Sequence, residues 1–269
     1  MKIRVRSKQG ITLLVVLLEL LASTGCAKNE SIKVGIEKNS RPFSYTEGEE
    51  KKGFEVELWQ AIAKKAKIEY EWVAMEYGEL NKSVKSGDVD LAIAGMTIKN
   101  ARKNNLDYSS PYFQSGEAIL TATDNEVIKG KDDLAQKVVA TRNGSTAYHF
   151  ASEIKGIKIR SYANISDAYD DLKNKTVDAV VFEEHSIQDY LQNSTEGKAK
   201  KVGEAFNKDS YAIVAKKRNM YMGRINKAIE AVSKDGTYEA LYTKYFGSKP
   251  EKLLKNLKDE MENDIEHES

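Results

Sequence analysis

LAIAGMTIKNARKNNLDYSSPY, residues 91–112, is the stretch that decides the fold. It opens with a run, 91–94, that is apolar on both faces, as expected for a parallel strand covered by helices. The chain then breaks at Gly95 into polar residues that include Thr97 and Arg102. Ligands bind beyond the carboxyl ends of strands in open α/β sheets, and a glycine there lets the backbone approach them closely. The guanidinium of Arg102 suits a carboxylate. The stretch therefore predicts an α/β sheet with a ligand site, although a plain turn and a solvated arginine also fit the pattern.

The composition bounds the remaining possibilities. A chain of 269 residues can bury one large or two medium domains. Its net charge of +1 gives no field that favours nucleic acid, so no nucleic-acid partner is expected. A single cysteine, Cys26, excludes intrachain disulfides, and the three histidines have no metal-ligand spacing. We therefore expect no metal, no cofactor and no catalytic residue, and the chain has no GxxxxGK[ST] phosphate loop.

The first 25 residues have the pattern of a signal peptide. Basic residues precede an apolar segment, 11–21, that is too short to span a membrane and is excluded from the fold. The following Ser23-Thr24-Gly25-Cys26 resembles a lipobox, although that pattern prefers leucine at the place of Ser23, and Glu19 interrupts the apolar segment. The resemblance implies that Cys26 carries a diacylglyceryl group with acyl chains such as palmitate. Residues 26–31 would then form a lipidated tether on the extracytoplasmic face of the cell membrane.

Two further patterns point to a cleft. KSGDVDLAIAG (85–95) has an echo in KNKTVDAVVFE (173–183), which predicts equivalent strands in two similar lobes, with their carboxyl ends facing one another. A Val-Asp pair before a strand is also common without any repeat. Separately, RNGST (142–146) lies between a predicted strand and a helix that begins at about Ala147. The N–H groups of such a helix start suit a carboxylate, although a plain turn with a capping serine is the alternative.

The quoted motifs resemble one family. AGMTIKNARKNNLDYSSPY is similar to the AGMTxTxxRxxxxxFSxPY stretch of family 3 solute-binding proteins, which capture amino acids for ABC importers; it departs at Lys99 and Tyr108. GFEVELWQAIAKKAK (53–67) resembles GFDVDLWxAIAKEL of the glutamine-binding branch. The resemblance spans about residues 32–250. It implies an α/β, two-lobe periplasmic-binding-protein-like fold of type II, with a hinge and an inter-lobe ligand cleft.

This resemblance also implies domain boundaries. The first lobe would comprise residues 32–115 and 211–250, the second lobe 116–210, and residues 251–269 would form a charged, loosely held helical extension.

The resemblance implies which residues hold the main chain of an amino acid. Gly95, Thr97 and Arg102 correspond to the family's contacts with the α-amino and α-carboxylate groups. Thr146 takes the place of a backbone N–H donor to the carboxylate, and Glu183 that of the acid that binds the ammonium. A zwitterion needs a cation at one end and a carboxylate at the other, and this set supplies both.

Three further positions are implied for the ligand side chain. Glu37 and Arg142 correspond to the acid and the cation that meet the side chain in the glutamine-binding branch, and Tyr77 to an aromatic residue that packs on its aliphatic part. Ser40 stands where that branch has a second ring, so a cationic ligand would lack an aromatic sandwich and would be repelled by Arg142. An amide suits this pair, because the acid accepts from its NH₂ and the cation donates to its oxygen.

The function implied is capture of a polar amino acid, with glutamine favoured, by a monomer whose lobes close over the ligand and deliver it to an ABC permease with ATPase subunits. Glutamate is the next candidate ligand, followed by arginine, lysine and histidine. A dehydratase-like enzyme on the same scaffold is an alternative, with Glu37 and Glu183 as its carboxylates. A third possibility is a sensory domain, which would be expected to continue into a transmembrane segment or a kinase module.

Overall fold

The computed structural model describes residues 31–99, 105–193, 196–252 and 254–268, with side chains described as far as residue 261. The predicted signal peptide, the predicted lipidation site Cys26 and the ligand-binding candidate Arg102 lie outside the described residues. In the described part of the chain, no helix combines the length and the apolar character needed to cross a bilayer.

Strands and helices alternate along the described chain. The strands are β1 Ile32–Glu37, β2 Tyr45–Glu47, β3 Glu50–Lys52, β4 Tyr70–Met75, β5 Leu91–Ala92, β6 Asp107–Tyr108, β7 Phe113–Ala122, β8 Val138–Arg142, β9 Lys158–Tyr162, β10 Ala179–Glu183, β11 Ala199–Tyr211 and β12 Val214–Ala215. The helices are α1 Phe54–Ala66, α2 Tyr77–Ser86, α3 Thr146–Glu153, α4 Ile165–Lys173, α5 Glu184–Asn193, α6 Met222–Lys234, α7 Thr237–Phe246 and α8 Leu254–Glu268, with a 3₁₀ turn at Lys131–Leu134.

Ten of the strands form two five-stranded sheets, which confirms the predicted α/β class with two lobes, and β2 and β3 form a separate antiparallel pair. The first sheet has the order β4-β1-β5-β12-β6, and β1 runs parallel to both of its neighbours. The second has the order β11-β7-β10-β8-β9, with β10, β8 and β9 parallel. Each sheet has its own apolar core, built around Trp59 and Ile62 in the first lobe and around Leu120 and Val180 in the second. Parallel strands bring several carboxyl ends to one edge of each sheet, where a ligand site is expected.

Two long strands connect the lobes. Strands β7 and β11 pair antiparallel within the second sheet, with irregular register around Phe206. At the end near the first lobe, the amide of Tyr112 donates to the carbonyl of Tyr211 at 2.9 Å, and the amide of Ala212 donates to Met96 at 3.0 Å. The two crossings therefore form one hydrogen-bonded ribbon, which is a suitable hinge.

The residues of the GFEVELWQAIAKKAK stretch fit the positions that they occupy in and around helix α1. Gly53 precedes it with φ +122°, and a Cβ at this position would lie 2.2 Å from the carbonyl oxygen of Phe43, so only glycine fits. Acidic residues lie in the first turn and lysines in the last, which complements the helix dipole. The helix ends at Lys67 in the left-handed conformation. Its buried face, with Phe54 and Trp59, anchors the first lobe.

The later part of the chain returns to the first lobe in two steps, because Tyr211 ends the 13-residue β11 and only Val214–Ala215 pair in the first sheet. The polar, lysine-rich sequence of β11 lacks the apolar alternation that would have revealed it. The C-terminal extension is a helix, as predicted, but its start is not loosely held: Leu254 and Leu257 are 4% and 2% exposed and pack in the first core.

Candidate functional site

The centre of the candidate site is an ion pair between two buried side chains from different sheets. Glu37 ends β1, and Arg142 ends β8. Nη1 of Arg142 lies 2.6 Å from both carboxylate oxygens of Glu37, and the two side chains are 7% and 4% exposed. The pair thus joins the carboxyl ends of one strand from each lobe, 105 residues apart in sequence.

This geometry corrects one predicted arrangement. Glu37 and Arg142 were expected to contact the two ends of a ligand amide separately, but here they bind one another directly. The physical reason is burial: two opposite charges without water are stabilised by direct pairing. Burial raises the pKa of Glu37, and the positive charge of Arg142 opposes that rise. Burial tends to lower the pKa of Arg142, but the negative charge of Glu37 outweighs it, so the pKa of Arg142 lies above its ordinary value.

Two aromatic rings cover the guanidinium. The Cζ atom of Arg142 lies 3.9 Å from the ring centroid of Tyr77, the first residue of α2, and 4.6 Å from that of Phe182 in β10. The expectation that the site lacks a second ring, because Ser40 replaces it, is therefore wrong: Phe182 supplies a ring from the other lobe. Ser40 instead accepts a 3.4 Å hydrogen bond from Nη1 of Arg142.

The Nε–H donor of Arg142 remains available. It is buried and has no hydrogen-bond partner among the residues that the structure describes. A buried, unpaired N–H group on a charged side chain is costly, so the geometry favours an acceptor oxygen beside it.

A small cavity of about 20 Å³ adjoins the guanidinium, which is space for about one water molecule. Its lining comes from both lobes and from the hinge: Ser40, Phe43, Glu55, Ala94, Gly95, Arg142, Phe182, Glu183 and Tyr211. The structure thus brings together Gly95, Arg142 and Glu183 of the predicted residues, with the ion-paired Glu37 and the stacked Tyr77 next to them.

Gly95 has φ +58°, and a Cβ would lie 3.4 Å from the ring of Tyr211. Its N–H donates to Oε1 of Glu55 at 2.6 Å, so its carbonyl is the group left for a ligand. Burial raises the pKa of Glu55 to about 7, against hydrogen bonds from Tyr112 and Gly95. The carboxyl of Glu55 therefore holds the turn at Gly95 in place through the N–H group of Gly95. The family motifs do not point to Glu55, although a carboxylate on the buried face of an amphipathic helix is an unusual feature.

Glu183 lies at the end of β10, just before α5, and is held by several donors. The hydroxyl of Ser115 and the amide of His185 donate to its Oε1, and Nδ1 of His185 lies 3.0 Å from the same oxygen. Its Oε2 accepts from the amide of Ser186 at 2.7 Å, which leaves this oxygen a further lone pair. Burial would raise the pKa of Glu183, but the hydrogen bond and charge of His185, together with Ser115, hold it below its ordinary value. Glu183 is therefore a carboxylate suited to bind a cation.

His185 and Ser115 support Glu183, and neither residue was predicted from the sequence. Burial lowers the pKa of His185, but its hydrogen bond with Glu183 and the charge of that carboxylate raise the pKa by more than burial lowers it. The pKa of His185 therefore lies above its ordinary value. The neighbouring hinge residue Glu117 is also buried, and burial together with the charge of Glu183 raises its pKa to about 8. A local sequence signal exists only for His185, which follows the predicted acid by two residues.

The remaining two predicted residues flank this group. Thr97 is 5% exposed, and its backbone bridges Tyr211 of the hinge. Thr146 is the half-buried first residue of α3, where Ser145 caps the helix by accepting from the amide of Tyr148 at 3.1 Å. The turn before it approaches α2, since a Cβ on Gly144 would lie 3.7 Å from the Cα of Gly78. Among the described side chains, no group of three His, Cys, Asp or Glu residues is placed to hold a metal ion.

Comparison with known proteins identifies relatives of this chain. A family model described as bacterial extracellular solute-binding proteins, family 3, matches residues 32–248. A probable histidine-binding protein of Campylobacter jejuni is 29% identical over 219 residues, which cover 80% of this chain and 84% of that protein.

Solved structures similar to this chain are also of amino-acid-binding proteins. The arginine-, lysine-, histidine-binding protein ArtJ of Geobacillus stearothermophilus is 28% identical with a TM-score of 0.80, covering 85% of this chain and all of that chain. An ancestral arginine-binding protein bound to arginine is 36% identical with a TM-score of 0.77, covering 80% of this chain and 98% of that one. An ancestral arginine-binding protein bound to glutamine is likewise 36% identical with a TM-score of 0.77, covering 81% of this chain and 98% of that one.

Proposed function

Because this chain belongs to the bacterial extracellular solute-binding proteins of family 3, we propose that it captures one polar amino acid between its lobes and delivers it to an ABC permease with its ATPase subunits. The observation that carries the proposal is the cavity that Gly95 of the first lobe and Glu183 and Arg142 of the second line together. Relatives whose names state binding of histidine, arginine or lysine support amino-acid capture.

The main chain of the ligand would lie between Gly95 and Glu183. The second lone pair on Oε2 of Glu183 and the carbonyl of Gly95 supply acceptors for an ammonium group. Thr97 would add to the contacts with the ammonium, and the carboxylate would bind Arg102 together with an N–H group at Thr146. This arrangement pairs each charge of the zwitterion, as burial requires.

The side chain of the ligand would bring an acceptor oxygen to Arg142. Its buried Nε–H has no partner among the described residues, and an amide or carboxylate oxygen would satisfy it. Glutamine is favoured, because Glu37 already neutralises the guanidinium and a neutral amide adds no charge. Glutamate is the second candidate. Cationic amino acids follow, since their side chains would meet Arg142 at close range.

The proposal includes a lipid anchor on Cys26, which would hold the protein on the extracytoplasmic face near its permease. Growth with an alkyne-tagged fatty acid would label the protein, and Cys26→Ser would abolish the label. Equal labelling of this variant would refute the anchor without affecting the binding proposal.

Calorimetric titration of the purified chain with the twenty amino acids tests the ligand. We expect micromolar or tighter binding, with glutamine strongest. No binding tighter than millimolar for any of them would refute the proposed function. Incubation with prephenate or arogenate in the same preparations tests for turnover, which would support the dehydratase-like alternative.

A further inference from the structure

The side chain of Arg142 has the surroundings of a bound ligand. Its guanidinium lies over the rings of Tyr77 and Phe182, with Cζ 3.9 and 4.6 Å from the ring centroids, and Nη1 contacts both carboxylate oxygens of Glu37 at 2.6 Å. A carboxylate and the faces of aromatic rings are the groups that recognise a planar cation. Glu37 and Tyr77 belong to the first lobe and Phe182 to the second. These three residues, which we term the cation cage, are therefore complete only when the lobes are together.

The position of the cation cage bears on specificity. Arg142 and Phe182 both line the small cavity that Gly95 and Glu183 also line, so the cage lies where the side chain of an amino acid held by Glu183 would extend. A second guanidinium or ammonium could not enter the cage without displacing Arg142, and it would leave that arginine buried and unpaired.

We propose that Arg142 is a tethered substitute for a cationic ligand side chain: it fills the cation cage from within, excludes arginine and lysine, and leaves a ligand whose side chain supplies an acceptor oxygen. This inference rests on the proposed amino-acid-binding function. Arg142 is then the specificity-determining residue of the site. Glu37 has two roles, because it holds Arg142 in place and thereby joins the two lobes.

Removing the tethered guanidinium should convert the specificity. In the Arg142→Ala variant the cation cage keeps its two rings and its carboxylate, so the guanidinium of free arginine can enter. We expect the wild type to bind glutamine at least about 100-fold more tightly than arginine, and R142A to gain about 100-fold or more in affinity for arginine, measured by titration calorimetry. Arg160 provides the matched control, because it lies on the same lobe but is exposed and pairs with Asp171 at 2.7 Å. R160A should keep the wild-type preference.

A second readout does not depend on amino-acid binding. Millimolar methylguanidinium should raise the melting temperature of R142A by about 2–4 °C, because it restores the caged cation, and should leave the wild type and R160A unchanged. If R142A is unfolded by circular dichroism, the double variant R142A/E37Q avoids a buried unpaired carboxylate. In this variant the preference for glutamine over arginine should fall at least about tenfold, because the repelling cation is absent.

The outcomes separate the two proposals. If the wild type binds glutamine but a folded R142A gains no affinity for arginine, the inference about Arg142 is wrong and the proposed function stands. Where R142A does not fold, an unchanged preference of R142A/E37Q for glutamine over arginine refutes the inference in the same way. If the wild type binds no amino acid, the proposed function fails, and the response of R142A to methylguanidinium alone decides whether the cation cage exists. A wild type that already prefers arginine would overturn the inference directly.

Discussion

The buried carboxyl of Glu117 should make the stability of this protein fall as the pH rises. Glu117 lies in β7, opposite Glu183 of β10 and Phe206 of β11, and is 7% exposed. Its Oε2 has no partner among the described residues. Burial, together with the charge of Glu183, raises its pKa from 4.5 to about 8, against the opposing charge of Arg142. Between these two values the folded chain keeps a proton that the unfolded chain has released.

The sign and the size of the effect follow from this difference. Because the folded state binds more protons, the free energy of unfolding decreases with rising pH. Each pKa unit corresponds to about 1.4 kcal/mol, so the rise from 4.5 to about 8 should lower stability by about 3–4 kcal/mol between pH 5 and pH 8. Glu55 and His185 act in the same direction, since their pKa values are also raised, whereas the lowered pKa of Glu183 favours stability above its own titration range.

The substitution Glu117→Gln keeps the shape of the side chain and removes the titratable carboxyl group, so the side chain stays neutral at every pH. Urea unfolding at pH 5 and pH 8 should find E117Q close to the wild type at pH 5 and more stable than it by about 3–4 kcal/mol at pH 8. Glu126→Gln is the matched control. The side chain of Glu126 is 80% exposed, so this variant should have the stability of the wild type at both pH 5 and pH 8. Equal loss of stability in E117Q and the wild type would show that Glu117 is ionised in the folded protein, contrary to the argument from burial.

Three further predictions test the site and the fold. Arg102→Ala should abolish amino-acid binding in calorimetry, because the ligand carboxylate would lose its cation; near-normal affinity would refute this role. Leu257→Ala should lower the free energy of unfolding by about 2–4 kcal/mol, because it opens a cavity where the C-terminal helix packs on the first core, whereas the partly exposed Met261→Ala should cost much less. Gly53→Ala should cost at least about 3 kcal/mol, because its Cβ would lie 2.2 Å from a backbone oxygen; wild-type stability would show that this turn can rearrange.

The sequence was sufficient for the family, the α/β class and the two lobes. The AGMT stretch and the GFEVELW helix are local patterns whose meaning depends on neighbouring residues, and the family match over residues 32–248 confirms what they predicted. The preference for glutamine remains a proposal, because the named relatives bind histidine or basic amino acids as well as glutamine.

The contacts inside the site were decided by tertiary structure. The sequence predicted that Glu37 and Arg142 lie at strand ends. It did not predict that they bind one another, because the two residues lie 105 positions apart. The same holds for Phe182, which replaces the ring missing at Ser40, and for Glu55, which supports Gly95 from a helix 40 residues earlier. Local patterns determine which strand ends carry polar groups. Which of those groups meet depends on how the two lobes pack against one another, and in a buried site the requirement to pair every charge then selects the partners.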